Sequence, residues 1–208
     1  MFLRLSRTGN IAPSHWWLSA IVLAFQCFAT SAAQPQELRF QSDPSRTTIA
    51  FTLGDILHTV HGSFKLKQGD VEYSLVTRSV HGDLIVDATS GQSGNRSRDR
   101  KMHREILESA RYPEIVFRPD RVEGTVAPMG SSTVQAHGIF SIHGADHELT
   151  MPVRIEVFPD HWVADTHFTI PYVKWGIKNP STFVLRVSES VEIDVHATGP
   201  NPSGGSAH

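Results

Sequence analysis

Cysteine is almost absent from this 208-residue chain, and the position of the single one matters more than its number. Cys27 lies in an apolar N-terminal run that we expect to be cleaved off. The remaining chain then has no disulfide, no thiolate nucleophile and no cysteine-based zinc or iron–sulfur site. Its stability therefore has to come from its core.

Long hydrophobic runs are also scarce, and the clearest one covers residues 16–33. Arg4 and Arg7 precede it, and the small residues at its end fit the signal-peptidase rule, with cleavage after Ala33. We therefore predict a signal peptide over residues 1–33 and a bacterial protein that is periplasmic or secreted. The run is close to the ~18 residues that span a bilayer, so an uncleaved membrane anchor is the alternative.

An excess of positive charge is missing as well. The chain has 19 basic and 21 acidic residues, and removal of Arg4 and Arg7 leaves a net charge of about −4. Nucleic-acid-binding domains are usually basic, so we predict no nucleic-acid partner. A local basic cluster at residues 96–104 is interpreted as a solvated helix face. Its alternative role is contact with an anionic head group or a membrane surface.

Signatures of catalysis and metal binding are not found in the sequence. There is no G-x-S-x-G elbow, no phosphate-binding loop, no dinucleotide fingerprint and no H-E-x-x-H motif. Ten histidines remain once His15 and His208 are set aside, and we interpret them as surface residues. The sequence therefore predicts a protein that is not an enzyme, with no catalytic residues and no metal.

The chain is rich, by contrast, in alternating apolar and polar residues. Ile49, Phe51 and Leu53 share one face of a strand, and the same two-residue period recurs as far as Val195. This period is typical of antiparallel strands with one side in water. Short turns join neighbouring strands, and closing the sheet removes exposed edges. We predict an all-β, up-and-down barrel of about eight strands.

One segment departs from this alternation and has a helical pattern. Apolar residues recur every four positions after Asp99, and the Tyr112-Pro113 pair ends the helix because the residue before a proline is driven to extended geometry. Ser97 and Asp99 are both candidates for the N-cap. We predict a short amphipathic helix over residues 99–110 that closes one end of the barrel. Its predicted lid residues are Asp99, Met102, Ile106 and Ala110.

Five segments stand out in order along the chain: SRTTIAF (45–51), HGSF (61–64), RD with YPEIVF (98–99, 112–117), AHGIFSIHG with MPV (136–144, 151–153) and WGI (175–177). Together they resemble the signature of the YceI-like family, also called the polyisoprenoid-binding, lipocalin-like family. The resemblance covers roughly residues 38–197, and residues 198–208 are interpreted as a disordered tail. It implies an extended antiparallel lipocalin-like β-barrel, closed by a helix, whose pocket holds a long apolar chain such as an isoprenoid or a quinone tail.

The function that this resemblance implies is an exported binding protein that sequesters or carries a long-chain isoprenoid or quinone-like lipid. Such a tail needs a dry tunnel, and its burial contributes about 25 cal/mol per Å². Gly138 is included in the lining because an interior glycine often marks a close approach. We expect the bound lipid to be the ligand and expect no cofactor. Peripheral contact with a membrane and the formation of a dimer remain open. The predicted lining is Phe51, Phe64, Leu84, Val86, Phe117, Gly138, Phe140, Ile142, Val153, Phe168, Phe183 and Leu185.

Two other functions remain open at this point. A barrel hydrolase or isomerase acting on an apolar substrate would place convergent titratable groups deep in the pocket, with strongly shifted pKa values. A structural or interaction module without a pocket would have a filled barrel and no continuous tunnel.

Overall fold

The computed structural model describes residues 37–54, 59–181 and 187–203. The predicted signal peptide over residues 1–33 and the predicted lining residues Phe183 and Leu185 lie outside these ranges. Within the ranges described, no helix is both long enough and apolar enough to cross a membrane.

Strands make up most of the described chain, and a single helical segment interrupts them between the fourth and fifth strands. The helix α1 (Arg96–Lys101) continues directly into a π-helical turn (Met102–Ile106). We call these two pieces together the lid. The strands are β1 (Glu37–Gln41), β2 (Thr48–Gly54), β3 (Thr59–Ser74), β4 (Val80–Gln92), β5 (Glu114–Glu123), β6 (Gly130–Ile142), β7 (Ala145–Val157), β8 (His161–Ile170) and β9 (Val191–Pro200).

The sheet closes on itself. From β2 to β9 each strand pairs antiparallel with the next one in sequence, and β9 then pairs with β2. The closing register sets Phe51 opposite Ile193 on one side and opposite Gly62 on the other. The fold is a closed eight-strand antiparallel barrel with one extra strand, which confirms the predicted all-β, lipocalin-like, up-and-down architecture.

The extra strand, β1, continues the edge that β2 begins. Both strands pair with β3, β2 with its first part and β1 with residues 70–74. A turn separates them, in which the Asp43 carboxylate accepts hydrogen bonds from the backbone N–H and the hydroxyl of Ser45. The first strand of the barrel is therefore interrupted by a polar turn but stays on the same edge of β3.

The C-terminal end of the described chain packs against β1. Thr198 lies in β9 and is buried, and its carbonyl accepts from the backbone N–H of Asp43 at 2.8 Å. Pro202 is fully buried, and its carbonyl accepts from the backbone N–H of Arg39 at 3.0 Å. The prediction of a disordered tail from residue 198 is therefore wrong for residues 198–203. A segment rich in proline and glycine can form a tight turn as well as a disordered tail. Here tertiary hydrogen bonds hold the segment in an ordered turn.

The core has two parts, one at each end of the barrel. The lid, the β6–β7 turn and the β8–β9 connection lie at one end, and the β3–β4 and β7–β8 turns lie at the other. At the lid end, Phe117, Phe140, Ile170 and Tyr172 belong to one buried cluster. At the far end, Leu38, Tyr73, Val126 and Trp162 belong to the second.

Gly138 lies at an irregularity between β5 and β6, where the register shifts between Pro119 and Arg121. A Cβ atom on Gly138 would be 2.2 Å from the carbonyl oxygen of Arg118 and 2.7 Å from the Cα atom of Pro119. The missing side chain therefore makes room for the backbone of β5 and does not widen a tunnel. The prediction that Gly138 lines the pocket is wrong for this physical reason.

Gly138→Ala is expected to lower the free energy of unfolding by about 1–3 kcal/mol, since the new methyl group overpacks against immobile backbone. Gly54→Ala is the matched control, because a Cβ atom at Gly54 meets nothing within 4 Å. Urea unfolding of both variants measures the effect. Equal stability of the two variants would contradict the close approach.

Candidate functional site

A cavity of about 650 Å³ runs along the inside of the barrel. It reaches from Met102 in the lid, past Phe117 and Phe140, to Phe40 and Trp162 in the far-end cluster. Its walls are formed mainly by the inward-facing apolar side chains of the strands. Its size lies within the roughly 300–1,000 Å³ of typical small-molecule sites, and its apolar character suits a hydrocarbon chain.

Most of the predicted lining residues surround this cavity. The Phe51 and Phe64 rings lie 5.4 Å apart, and the Phe140 and Phe168 rings lie 6.4 Å apart. Gly138 does not line the cavity, and Phe183 and Leu185 lie outside the described residues. Contact between these side chains and a ligand stays a prediction. The predicted residues that line the cavity are Phe51, Phe64, Leu84, Val86, Phe117, Phe140, Ile142, Val153 and Phe168.

The sequence prediction missed lining residues of two kinds. Trp162 and Ala164 share the inward face of β8 with Phe168. The alternation of that strand is therefore a signal that could have identified them. Tyr172 and Ile177 also line the cavity, but they lie in the irregular connection between β8 and β9. No periodic pattern marks such residues, so only the folded chain brings them to the barrel.

The lid begins at Asn95, whose side-chain oxygen accepts from the backbone N–H groups of Ser97 at 3.0 Å and Arg98 at 3.1 Å. Asn95 has extended backbone geometry, as an N-cap requires. The prediction of Ser97 or Asp99 as N-cap is therefore wrong. The Asp99 carboxylate instead accepts from both the backbone N–H and the hydroxyl of Ser93, which ties the lid to the end of β4.

The lid is shorter than predicted at its other end. Met102 and Ile106 line the cavity as expected, but the helical geometry ends at Ile106 and Ala110 is exposed in a turn. The His103 ring lies 2.9 Å from the hydroxyl of Ser109 and 2.8 Å from the carbonyl oxygen of Gly91. These contacts hold the turn against β4, so the assignment of Ala110 to the lid is wrong.

Asp99→Ala is expected to open the lid locally, because it removes charge-assisted hydrogen bonds from Ser93. Hydrogen exchange of the lid amides should become faster by about tenfold or more, with the strands unchanged. Arg100→Ala is the control, since Arg100 is exposed on the same helix. The same acceleration in both variants would show that Asp99 does not anchor the lid.

Charged groups are confined to one part of the cavity wall. Within the described ranges, Arg98 and Lys101 are the only charged lining residues, and no Asp, Glu or His lines the cavity. Nor is any group of three or more His, Cys, Asp or Glu in those ranges placed to hold a metal ion. The described cavity wall therefore lacks the convergent acids and bases that the hydrolase alternative requires.

Tyr172 is the one lining residue with a clearly shifted pKa among the described groups. Burial, followed by the negative charge of Glu189, raises the pKa of Tyr172 from 10.0 to about 12. Its hydroxyl donates to the backbone carbonyl of Ser188 at 2.5 Å. At neutral pH this group is therefore a hydrogen-bonded phenol, which holds the β8–β9 connection and does not act as a base.

The raised pKa makes stability depend on pH above 10. The unfolded chain loses the Tyr172 proton near pH 10 and the folded chain only near pH 12, so stability falls as the pH rises through this window. Tyr172→Phe should lose less stability over the same window. Urea unfolding of both proteins below and above pH 10 measures the difference. Parallel pH profiles would contradict the assignment.

The model of the YceI-like domain matches residues 40–199, which is most of the chain. The chain belongs to the YceI-like family. No protein with a curated description matches it in sequence.

Three solved structures share the fold of this YceI-like protein. BcnA of Burkholderia cenocepacia superposes with a TM-score of 0.63 at 13% identity, covering 76% of this chain and 99% of that one. A polyisoprenoid binding domain from Saccharophagus degradans, implicated in plant cell wall breakdown, superposes with a TM-score of 0.58 at 13% identity. The superposition covers 79% of this chain and 99% of that one. The Campylobacter jejuni YceI protein superposes with a TM-score of 0.57 at 13% identity, covering 69% of this chain and 86% of that one. At this identity the likeness establishes the barrel and its closure.

Proposed function

We propose that this YceI-like protein is an exported carrier that sequesters one long-chain isoprenoid or quinone-like lipid in its barrel. The observation that carries the proposal is the apolar cavity of about 650 Å³, which extends from the lid to the far-end cluster. The structural likeness to a polyisoprenoid binding domain supports the same ligand class. Export rests on the predicted signal peptide and its expected cleavage after Ala33.

Such a cavity selects its ligand mainly by shape and chain length. Each buried CH₂ group contributes about 0.8 kcal/mol, so affinity grows with the length of tail that fits. The walls between Phe51 and Trp162 offer few polar groups with which to read the middle of a ligand. A linear or isoprenoid tail therefore fits better than a compact polar molecule.

The cavity also bears on the two other functions. A structural module without a pocket would fill its barrel with side chains, whereas here rings such as Phe51 and Phe140 surround open space. A hydrolase or isomerase would need acids and bases next to the substrate, and the described walls hold none beyond the two cations at the lid and the phenols of Tyr73 and Tyr172. A binding role makes use of the observed lining without further groups.

The proposal is tested by mass spectrometry of organic extracts from the mature protein, purified without detergent. We expect one isoprenoid or quinone-type lipid per chain. A different lipid would keep the carrier role and change the ligand class. Folded protein that is empty and does not take up added lipid would contradict the proposal.

Ala136→Phe should reduce lipid loading, because Ala136 lines the cavity and a ring there occupies the path of the tail. Displacing even two CH₂ groups lowers affinity by about tenfold or more. Ala50→Phe is the matched control, since Ala50 lies on the outer face of β2, between Ile49 and Phe51. Thermal unfolding checks that both variants fold. Equal loading of the two variants would remove the cavity from the binding model.

A further inference from the structure

The charges that line the cavity have one sign and one location. Arg98 and Lys101 lie three residues apart in α1, and residues at this spacing share a face of a helix. The hydroxyl-bearing residues Ser93 and Ser97 line the same part of the wall. The cavity therefore has a cationic end at the lid. Toward Trp162 its walls carry no charge and are mainly apolar, with hydroxyl groups at Ser42, Thr47 and Tyr73.

The acidic residues of the lid are already engaged with other partners. The Asp99 carboxylate accepts from Ser93, and Glu105 lies 3.2 Å from Arg104 and 3.9 Å from Lys178. Neither cavity-lining cation takes part in an ion pair with any residue that the structure describes. Lys101 is half-buried, whereas Arg98 is exposed at the rim of the cavity. A cation such as Lys101, partly removed from water beside an apolar cavity, favours an anion as its partner.

The hydrogen bonds of the two cations hold them in place and leave donors available. Arg98 donates from Nε to the Ser93 hydroxyl at 2.7 Å and from Nη2 to the Ser93 carbonyl at 2.8 Å. A guanidinium group has five N–H donors, so others remain. Lys101 is half-buried and donates from Nζ to the carbonyl of Pro180 at 3.4 Å, which is long for a hydrogen bond. Its ammonium group has three donors.

We propose that the cargo is a long-chain amphiphile with an anionic oxygen head group, a carboxylate or a phosphate, which binds Arg98 and Lys101 under the lid. The tail then extends toward Trp162 at the far end. This inference rests on the proposed lipid-carrying function and adds the chemistry and the orientation of the ligand. A neutral lipid would leave both cations without a counter-ion.

The remaining cations of the lid provide the matched control. Arg100 lies in α1 between Arg98 and Lys101 but does not line the cavity, and it is exposed. Arg100→Met and Lys101→Met each remove one positive charge from the same helix, and methionine keeps an unbranched side chain. Only the second variant removes a charge from the cavity wall. The pair therefore separates a head-group contact from a general effect of charge.

The test uses delipidated mature protein and two pairs of ligands with matched chains, each below the concentration at which it forms micelles. The pairs are palmitate with hexadecan-1-ol, and geranylgeranyl monophosphate with geranylgeraniol. Calorimetry should show that an anionic ligand binds about tenfold tighter than its alcohol. Lys101→Met should weaken that preference, because only Arg98 then remains to bind the head group. Lys101→Arg should keep the preference, and Arg100→Met should leave it unchanged. Preference in the palmitate pair alone assigns a carboxylate, and preference in the phosphate pair alone assigns a phosphate.

The possible failures are distinguishable from one another. Equal binding of acids and alcohols would overturn the head-group site while leaving the carrier function intact. An equal loss of the preference for anionic ligands in Arg100→Met and Lys101→Met would also overturn it. That result would indicate a diffuse attraction between the positive charge of the helix and anions, of the kind that acts at a membrane surface. Absence of binding for all four ligands would overturn the carrier function itself. Thermal unfolding of each variant shows whether a loss of binding reflects a loss of fold.

Discussion

The pairing of β9 with β2 is the contact on which the rest of this structure depends. It joins β9, the last strand, to β2, the first strand of the closed barrel, with Thr48–Thr52 paired against Glu192–His196. Neither β2 nor β9 therefore has a free edge over this stretch. Because strand pairing around the closed sheet satisfies backbone groups without the help of side chains, the interior can stay mainly apolar. The turn at Asn201–Ser203, held against β1 through Pro202, reinforces the closure at the far end.

A closed barrel of eight strands can either fill its interior with side chains or keep a cavity. This chain keeps a cavity, and open space among rings such as Phe51 and Phe140 forgoes packing contacts that a filled core would have. A bound ligand restores such contacts, and any ligand that binds only the folded state also stabilises it. Stability and loading are therefore coupled in a protein of this kind. The polar bonds of the lid, through Asn95, Asp99 and His103, hold the closing element independently of the ligand.

The sequence predicted the parts of the fold that depend on local periodicity. Alternation at residues such as Phe51, Phe117 and Phe168 placed inward side chains correctly, because successive side chains of a strand point to opposite faces whatever the partner strand is. The errors fall where a tertiary contact decides. Gly138 faces the displaced backbone of β5, and Ala110 leaves the helix where His103 contacts Ser109. Residues 198–203 are held by backbone hydrogen bonds to Arg39, Asp43 and Asp160, all of them distant in sequence.

The amino-acid sequence by itself determined the class of fold, the period of its strands and the presence of a short helical segment before Pro113, since these follow from side-chain spacing and backbone sterics. Only the tertiary structure decided which inward residues meet to form a cavity and that Tyr172 and Ile177 join them from a connection without regular structure. It also decided that Arg98 and Lys101 reach the cavity wall while Arg100 does not. The reason is that a helix places neighbouring residues about a hundred degrees apart, and only docking against the barrel selects the face that turns inward.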